Sequence, residues 1–217
     1  MYLKTPIERE FKFIVKDQRI FSSIAEKKGI SGFLIESPRE IIMHDTYFDS
    51  DDLDLYNQKA GLRLRKIEQK FWITFKKHIK QKKGILERDE IEEELTSIHF
   101  ENAIKEMKLT HPFEMALALS YQKSIKPIVD LSNQRQIFRL TRDKTIIDLC
   151  LDMVSYKSSN PLQLDFEIEI EHLSGDQEPI QALISSLTSE YRMVKSKSSK
   201  YKRCLEANLK IKKKIEG

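Results

Sequence analysis

Along several stretches of this chain, charged and apolar side chains alternate with a period of two. Near the N-terminus Glu8, Glu10 and Lys12 fall on one face, and Ile7, Phe11 and Phe13 on the other, with Arg9 the exception. Arg63 and Arg65 alternate with Leu62 and Leu64, and Glu90 and Glu92 follow Arg88 at the same step. Glu167, Glu169 and Glu171 alternate with Phe166, Ile168 and Ile170. Successive side chains of a strand point to opposite faces, so this period predicts strands with one charged and one apolar face.

Taken in order, the pattern predicts strands at about Ile7 to Val15, Met43 to Asp49, Leu62 to Lys66, Phe71 to Lys76 and Leu86 to Leu95. A second block follows Pro127, with Arg135, Ile137 and Arg139 on one face, then Thr145 to Val154 and Leu164 to Leu173. Helical spacing appears after Asp17, with Ile20, Phe21, Ile24 and Ala25 apolar and Gly29 past the end. Leu53 to Tyr56 reads as one helical turn. Further helices are predicted from Thr96 or Ser97 to Lys108, from Phe113 to Ser124, and from Gln177 to Tyr191 with Pro179 in the first turn. His111-Pro112 reads as a break, Lys77 to Gly84 as a mobile basic link and Ser158 to Pro161 as a turn. Tyr201, Leu205 and Leu209 sit at helical spacing near the end.

About eight strands lie in two blocks with helices between them, which favours an antiparallel α+β arrangement over βαβ winding. Packing Glu and Arg faces into a dry core is prohibitive. Closing the sheet resolves this, with apolar faces outward under helices and charged faces inward around water and ligand. The predicted fold is therefore antiparallel α+β, with about eight strands closed into a β-barrel that has a charged interior and is flanked by helices. A single domain is expected over residues 1–217, with the motifs within 7–205 and a basic tail at 206–217.

Composition narrows the functional class. Of 217 residues, 40% are hydrophobic, which suffices for a sizeable core, and 33% are charged for a net charge of only +4. The mild basic excess concentrates between Lys195 and Lys214. It reads as a solvated helix face and tail, so no nucleic-acid partner is expected. Two cysteines, Cys150 and Cys204, make no disulfide framework and suit a reducing cytoplasm. The N-terminus has no apolar run, and no stretch approaches the roughly 20 apolar residues of a membrane helix. A cytoplasmic protein without a membrane partner is expected. Nothing demands a homodimer, although one is compatible with the sequence.

The inward set is Glu8, Glu10, Lys12, Arg63, Arg65, Lys76, Arg88, Glu90, Glu92, Arg135, Arg139, Asp152, Glu167, Glu169 and Glu171. Arg offers planar forks that match phosphate oxygens and Lys a point charge, so the bases suit an elongated polyanion. Carboxylates would repel that anion unless they held a divalent cation. Hard oxygen ligands favour Mg²⁺ or Mn²⁺. Metal-dependent chemistry on a phosphate chain is the joint reading. His44 reads as an ordinary strand residue, Trp72 as packing, and Phe113 to Leu119 as core.

Those motifs resemble the CYTH superfamily, the triphosphate tunnel metalloenzymes. The resemblance runs in order through Glu8-x-Glu10-x-Lys12, then Asp45-Thr46-Tyr47-Phe48-Asp49 with Leu53-Asp54-Leu55, then Gly61-Leu62-Arg63-Leu64-Arg65. It continues through Trp72-Ile73-Thr74-Phe75-Lys76, Arg88-x-Glu90-x-Glu92, Leu151-Asp152, Glu167-Ile168-Glu169-Ile170-Glu171 and Ser199-Lys200-Tyr201-x-Arg203. It implies that Lys12, Arg63, Arg65, Lys76, Arg139, Lys200 and Arg203 bind a triphosphate, with Arg88 and Arg135 added from the inward set. It also implies that Glu8, Glu10, Glu90, Glu92, Asp152, Glu167 and Glu169 hold Mg²⁺ or Mn²⁺ and orient water. Glu8, Glu10, Lys12 and Lys76 would carry the catalysis. The period of two leaves Arg135 against Arg139, Asp148 against Asp152, and the choice among Glu167, Glu169 and Glu171 open. The resemblance implies hydrolysis of inorganic tripolyphosphate, with thiamine triphosphate as a further substrate. The alternatives are a class IV adenylate cyclase and a non-catalytic polyphosphate- or nucleotide-binding module.

Overall fold

The computed structural model describes residues 7–82, 85–157, 163–196 and 198–215, with side chains over 9–77, 89–157, 163–196 and 198–208. Among the described residues the fold is α+β, a large antiparallel sheet with six helices. In chain order the elements are β1 (Ile7–Val15), α1 (Arg19–Ala25), β2 (Gly29–Ile30), β3 (Phe33–Ile35), β4 (Arg39–Asp49), α2 (Asp54–Asn57), β5 (Ala60–Ile67), β6 (Lys70–Lys82) and β7 (Ile85–Leu95). There follow α3 (Phe100–Glu106), a 3₁₀ turn at Met107–Leu109, α4 (His111–Leu119), β8 (Lys126–Arg142), β9 (Thr145–Tyr156), β10 (Gln163–Ser174), α5 (Glu178–Tyr191), β11 (Val194–Lys195) and α6 (Lys200–Ile215).

Every strand pairing among the described residues is antiparallel. From β8 the pairs run through β4, β5, β6, β7, β1, β10 and β9, and β9 pairs again with β8. The short β2–β3 hairpin joins β8, and β11 joins β1.

Helices cover the apolar faces of the strands. One cluster packs Phe11, Phe13 and Val15 of β1, Leu149 and Leu151 of β9, and Ile168 and Ile170 of β10 under Phe21 and Ile24 of α1 and Ile180, Leu183 and Leu187 of α5. A second packs Leu62 and Leu64 of β5 and Phe71, Ile73 and Phe75 of β6 under Ala103 of α3 and Phe113 and Ala116 of α4. At about 25 cal/mol per Å² of apolar area removed from water, these clusters dominate the favourable side of folding. Gly175 makes the β10–α5 corner feasible. It has φ +85°, and a Cβ there would lie 2.3 Å from the Lys144 carbonyl oxygen.

The structure departs from the sequence reading in several places. Strands β2, β3 and β11 are too short to show a period. β4 begins at Arg39, four residues before the predicted start. Lys77 to Lys82 continue β6, paired with β7, and do not form a mobile link. Gly84 and the predicted turn at Ser158 to Pro161 lie outside the described residues. His111-Pro112 opens α4: Thr110 Oγ1 accepts from Phe113 N at 3.4 Å, and proline is tolerated in a first turn. α3 starts later than predicted because Thr96 and Ser97 bind the Glu106 carboxylate through their amides and hydroxyls. Those bonds hold Glu106 down at about 2. The basic stretch from 206 belongs to α6 as far as Ile215.

Candidate active site

The charged faces of the strands gather around one cavity of about 760 Å³. On one side β1 supplies Glu10 and Lys12, and β10, paired with it, supplies Glu169 opposite Lys12 and Glu171 opposite Glu10. β9 lies beyond β10, and its Asp152 pairs in register with both Glu167 and Arg135. Register thus fixes a patch in which carboxylates and cations from four strands meet.

Asp152, Glu167 and Glu169 are buried, and one oxygen of each lies within 4.8 Å of the others. They form a group of hard donors that could hold a metal ion. Lys200, the first residue of α6, reaches all three carboxylates. Its Nζ lies 2.8 Å from Asp152 Oδ2 and 2.6 Å from Glu169 Oε1, and it also contacts Glu167 Oε1. Lys12 Nζ is 2.6 Å from Glu169 and 3.4 Å from Glu10. Arg135 donates Nε to Asp152 Oδ1 at 2.6 Å, Nη2 to Asp152 Oδ2 at 2.7 Å and to Glu169, and Nη1 to Glu171 at 3.0 Å. Behind this group Arg203 bonds Glu167 Oε2 at 2.7 Å and Asp165 at 2.8 Å.

Burial and charge compete in this patch. Burial disfavours the charge on Asp152 and Glu169, but Lys200, Arg135 and Lys12 override it and hold both carboxyls below the ordinary range. For Glu167 burial wins, with Glu169 adding repulsion, and its carboxyl is pushed up. Burial alone would lower Lys12 and Lys200, but the surrounding carboxylates raise both.

The facing wall comes from β4 to β7. Arg65 grips Asp45 through Nε and Nη2, both at 2.7 Å. Arg63 donates to Thr74 Oγ1 at 3.2 Å, and Thr74 donates to Glu92 at 2.7 Å. Lys76 lies 2.7 Å from Glu90. The Arg63 Nε is buried with no hydrogen-bond partner among the described residues.

α6 seals part of this space. Tyr201, Cys204 and Leu205 pack on Val129 and Leu131 of β8 and Val154 and Tyr156 of β9, the two strands that also carry Arg135 and Asp152. Tyr201 stacks on Tyr47 at 4.9 Å, meets Tyr56 edge-on at 6.0 Å and donates to Asp49 at 2.9 Å.

The cavity is lined by Glu10, Lys12, Arg63, Arg65, Lys76, Glu90, Glu92, Arg135, Glu169, Glu171 and Lys200 from the sequence-derived set. Asp152 and Glu167 lie fully buried beside it. Arg203 stands behind Glu167. Arg139 does not join the cavity: it pairs with Asp148 at 2.5 Å and its side chain is 40% exposed. Arg135 is thus the β8 arginine at the site, and Asp152 the β9 aspartate. The backbones of Glu8 and Arg88 face each other across β1–β7, while their side chains lie outside the described residues. Sequence reasoning did not select Asp45, Thr74, Tyr47 or Tyr56, which line or brace the cavity. Asp45 and Tyr47 share a face of β4 with Met43, so no charged alternation marked them. Among the described residues, no helix is long and apolar enough to cross a membrane.

Comparison with known proteins agrees with this architecture. A curated inorganic triphosphatase from Haemophilus influenzae is 26% identical over 179 residues, covering 80% of this chain and 48% of the relative. The chain therefore spans about half the length of the curated relative it matches. Among solved structures, HpAC1 from Hippeastrum, an adenylyl cyclase candidate that reveals a dominant triphosphatase activity, superposes with a TM-score of 0.64 at 17% identity. It covers 89% of this chain and 93% of its own. An adenylate cyclase candidate from Bacillus halodurans superposes with a TM-score of 0.63 at 24% identity, covering 93% and 98%. At these identities the superpositions speak for the fold. The CYTH domain pattern matches residues 6–205, so the chain belongs to the CYTH domain family.

Proposed function

We propose that this chain hydrolyses a triphosphate in a metal-dependent reaction, with inorganic tripolyphosphate as the favoured substrate and thiamine triphosphate as a second candidate. The observation that carries this reading is the pairing of two unlike walls across one cavity: the acidic group around Glu169, and the basic rank of Arg63, Arg65 and Lys76. Anion binding alone gives no reason to bury three carboxylates. The run of pairings from β8 round to β9 supports an eight-stranded barrel whose charged interior is a tunnel. The 26% identity to an inorganic triphosphatase favours hydrolysis over other chemistry on the same phosphates.

The donor set fits a hard divalent cation. Asp152, Glu167 and Glu169 offer only carboxylate oxygens, with no thiolate or imidazole among them, as Mg²⁺ or Mn²⁺ prefers. When bound, such an ion would neutralise charge on the transferring phosphoryl group and polarise water. The chain's own residues do the rest. Arg63 and Arg65 present planar forks, oriented by Thr74 and Asp45, to successive phosphate oxygens. Lys12 and Lys76 supply point charges at the two walls, and Arg135 ties the acidic group in place. Glu90 and Glu92 hold Lys76 and Thr74 and so fix the basic wall. Tyr47 and Tyr201 stack on each other and border the cavity.

The test offers purified protein tripolyphosphate, thiamine triphosphate and ATP, each with Mg²⁺ or Mn²⁺. Phosphate release from tripolyphosphate that stops on chelation is expected. Cyclic AMP and pyrophosphate from ATP would replace the reading with a cyclase. Tight tripolyphosphate binding without turnover would replace it with a binding module.

A further inference from the structure

All six oxygens of Asp152, Glu167 and Glu169 already accept from protein cations. Asp152 Oδ1 takes Arg135 Nε, and Oδ2 takes Arg135 Nη2 and Lys200. Glu167 Oε1 takes Lys200, and Oε2 takes Arg203. Glu169 Oε1 takes Lys12 and Lys200, and Oε2 takes Arg135. A divalent ion such as Mg²⁺ binds carboxylate oxygens at about 2.0–2.1 Å and needs the lone pairs that face inward. Ion and ammonium therefore draw on the same oxygens, and metal binding is favoured where a resident cation gives way.

The contacts single out which one. Arg135 is also held by Glu171 at 3.0 Å. Arg203 is also held by Asp165, and by the Ser198 carbonyl at 2.8 Å. Lys12 sits within paired β1 and keeps Glu10 at 3.4 Å. Lys200 has its described ion-pair and hydrogen-bond partners only within the triad. It lies at the first position of α6 and borders the cavity that Arg63 and Lys76 also line, so its four-carbon stem gives Nζ a route out of the triad on the cavity side.

We propose that Lys200 is the resident counter-ion of the triad, displaced by the divalent cation and transferred to the phosphate chain. Lys200 thereby couples metal loading to substrate grip. The freed ammonium would join a cavity already lined by Arg63, Arg65 and Lys76, which is unfavourable until an anion enters. Metal alone then binds weakly, and the phosphate chain supplies the partner that Lys200 lost. By linkage, each ligand strengthens the other. This rests on the tunnel binding a metal and a phosphate chain together, as proposed above.

The test uses binding and spectroscopy on the full chain. Mn²⁺ is titrated alone, by calorimetry and electron paramagnetic resonance, into the parent protein and Lys200→Met, which keeps the stem and loses the charge. The variant is expected to bind Mn²⁺ at least tenfold more tightly. In the parent protein carrying ¹³C-labelled lysine, Mg²⁺ is expected to shift the Lys200 Cε resonance. A methylene-bridged triphosphonate, which cannot be hydrolysed, is expected to shift it further. Because Lys200→Met leaves buried carboxylates short of a partner, the parent-protein spectrum decides if the variant fails to fold. Mg²⁺ binding with the Lys200 resonance unmoved overturns the proposal, as does unchanged or weaker Mn²⁺ affinity in a folded variant. If tripolyphosphate is not hydrolysed but Lys200 still moves on metal binding, the proposed hydrolysis fails and the counter-ion role stands. Hydrolysis with an unmoved Lys200 keeps the proposed activity and removes the counter-ion role.

Discussion

Arg65 and Asp45 meet across the β4–β5 pair through two hydrogen bonds of 2.7 Å, and Asp45 is buried while Arg65 borders the cavity. The aspartate thus sits beneath the basic wall and aims its guanidinium groups, with Arg63 Nη1 a further 3.7 Å from the same carboxylate. Asp45→Asn keeps the shape and removes the charge. Breaking one partner of a buried pair leaves a charge uncompensated, and here the open cavity lets water soften the loss. The variant should be less stable by about 2–3 kcal/mol in urea unfolding, with a raised KM for tripolyphosphate. An unchanged unfolding midpoint would show that the arginines are oriented by something else.

The same aspartate makes stability depend on acid. Burial pushes its carboxyl up, but Arg65 and Arg63 override this and bring it from 3.8 to about 2. A folded value below the unfolded one stabilises the protein above the unfolded value, and that stabilisation is lost as pH falls towards the folded value. The window is therefore pH 3.8 down to about 2, and the contribution is about 2 kcal/mol. Glu167, whose carboxyl is raised, works in the opposite direction, so the comparison must be with Asp45→Asn. The stability difference between parent and variant should shrink steadily through that window. A constant difference would mean that Asp45 does not titrate on folding.

Tyr201 fastens α6 to the rest of the protein through stacking on Tyr47 and a hydrogen bond to Asp49. Asp49 also accepts from the amides of Ser50, Leu55 and Tyr56, so it stays satisfied without the hydroxyl. Tyr201→Phe should therefore cost only about 1 kcal/mol. Tyr201→Ala removes a buried ring and should cost about 3–4 kcal/mol. Amide hydrogen exchange should show the loss concentrated in α6. Equal costs for the two variants would mean that the ring contributes little.

Much of this site was legible because the period of two is a physical signature of a strand with unlike faces. From sequence alone it marked Glu10, Lys12, Arg63, Arg65, Lys76, Glu90, Glu92 and Glu169 as facing one interior. Periodicity gives a face but no depth along a strand. Arg135 and Arg139 share a face, and only the register Arg135↔Asp152 against Arg139↔Asp148 separates the cavity from the outside. Asp45 was hidden for a related reason. β4 carries Met43 and Tyr47 on the same face as Asp45, so no charged alternation marked it. The tyrosine cluster joins residues 47, 56 and 201, a long-range contact that no local pattern encodes.

Both cysteines should be silent towards thiol reagents in the folded protein. Cys150 and Cys204 are buried, and burial pushes Cys204 up to about 12 and Cys150 well above its ordinary value. The reactive thiolate is therefore scarce near pH 8 (about the unperturbed thiol pKa). A chromogenic disulfide reagent should label neither thiol in native protein, and two equivalents should react in guanidinium. Rapid labelling of one thiol without denaturant would show that α6 or the β9 region opens on the timescale of the assay.

Arg63 and Arg139 provide the sharpest test of where the site ends. Both come from strand faces with the same alternation, and both were candidates for phosphate contact. Arg63 borders the cavity with its Nε buried and unpaired among the described residues, whereas Arg139 is occupied by Asp148 and 40% exposed at its side chain. Arg63→Ala removes a charged fork from the proposed phosphate path and should lower kcat/KM for tripolyphosphate by about 100-fold, near 3 kcal/mol. Arg139→Ala should change kcat/KM less than about threefold, since an exposed ion pair contributes under about 1 kcal/mol. Circular dichroism and unfolding midpoints would establish that both variants fold. A large loss in Arg139→Ala with Arg63→Ala nearly intact would move the substrate to the opposite end of the β8–β9 pair.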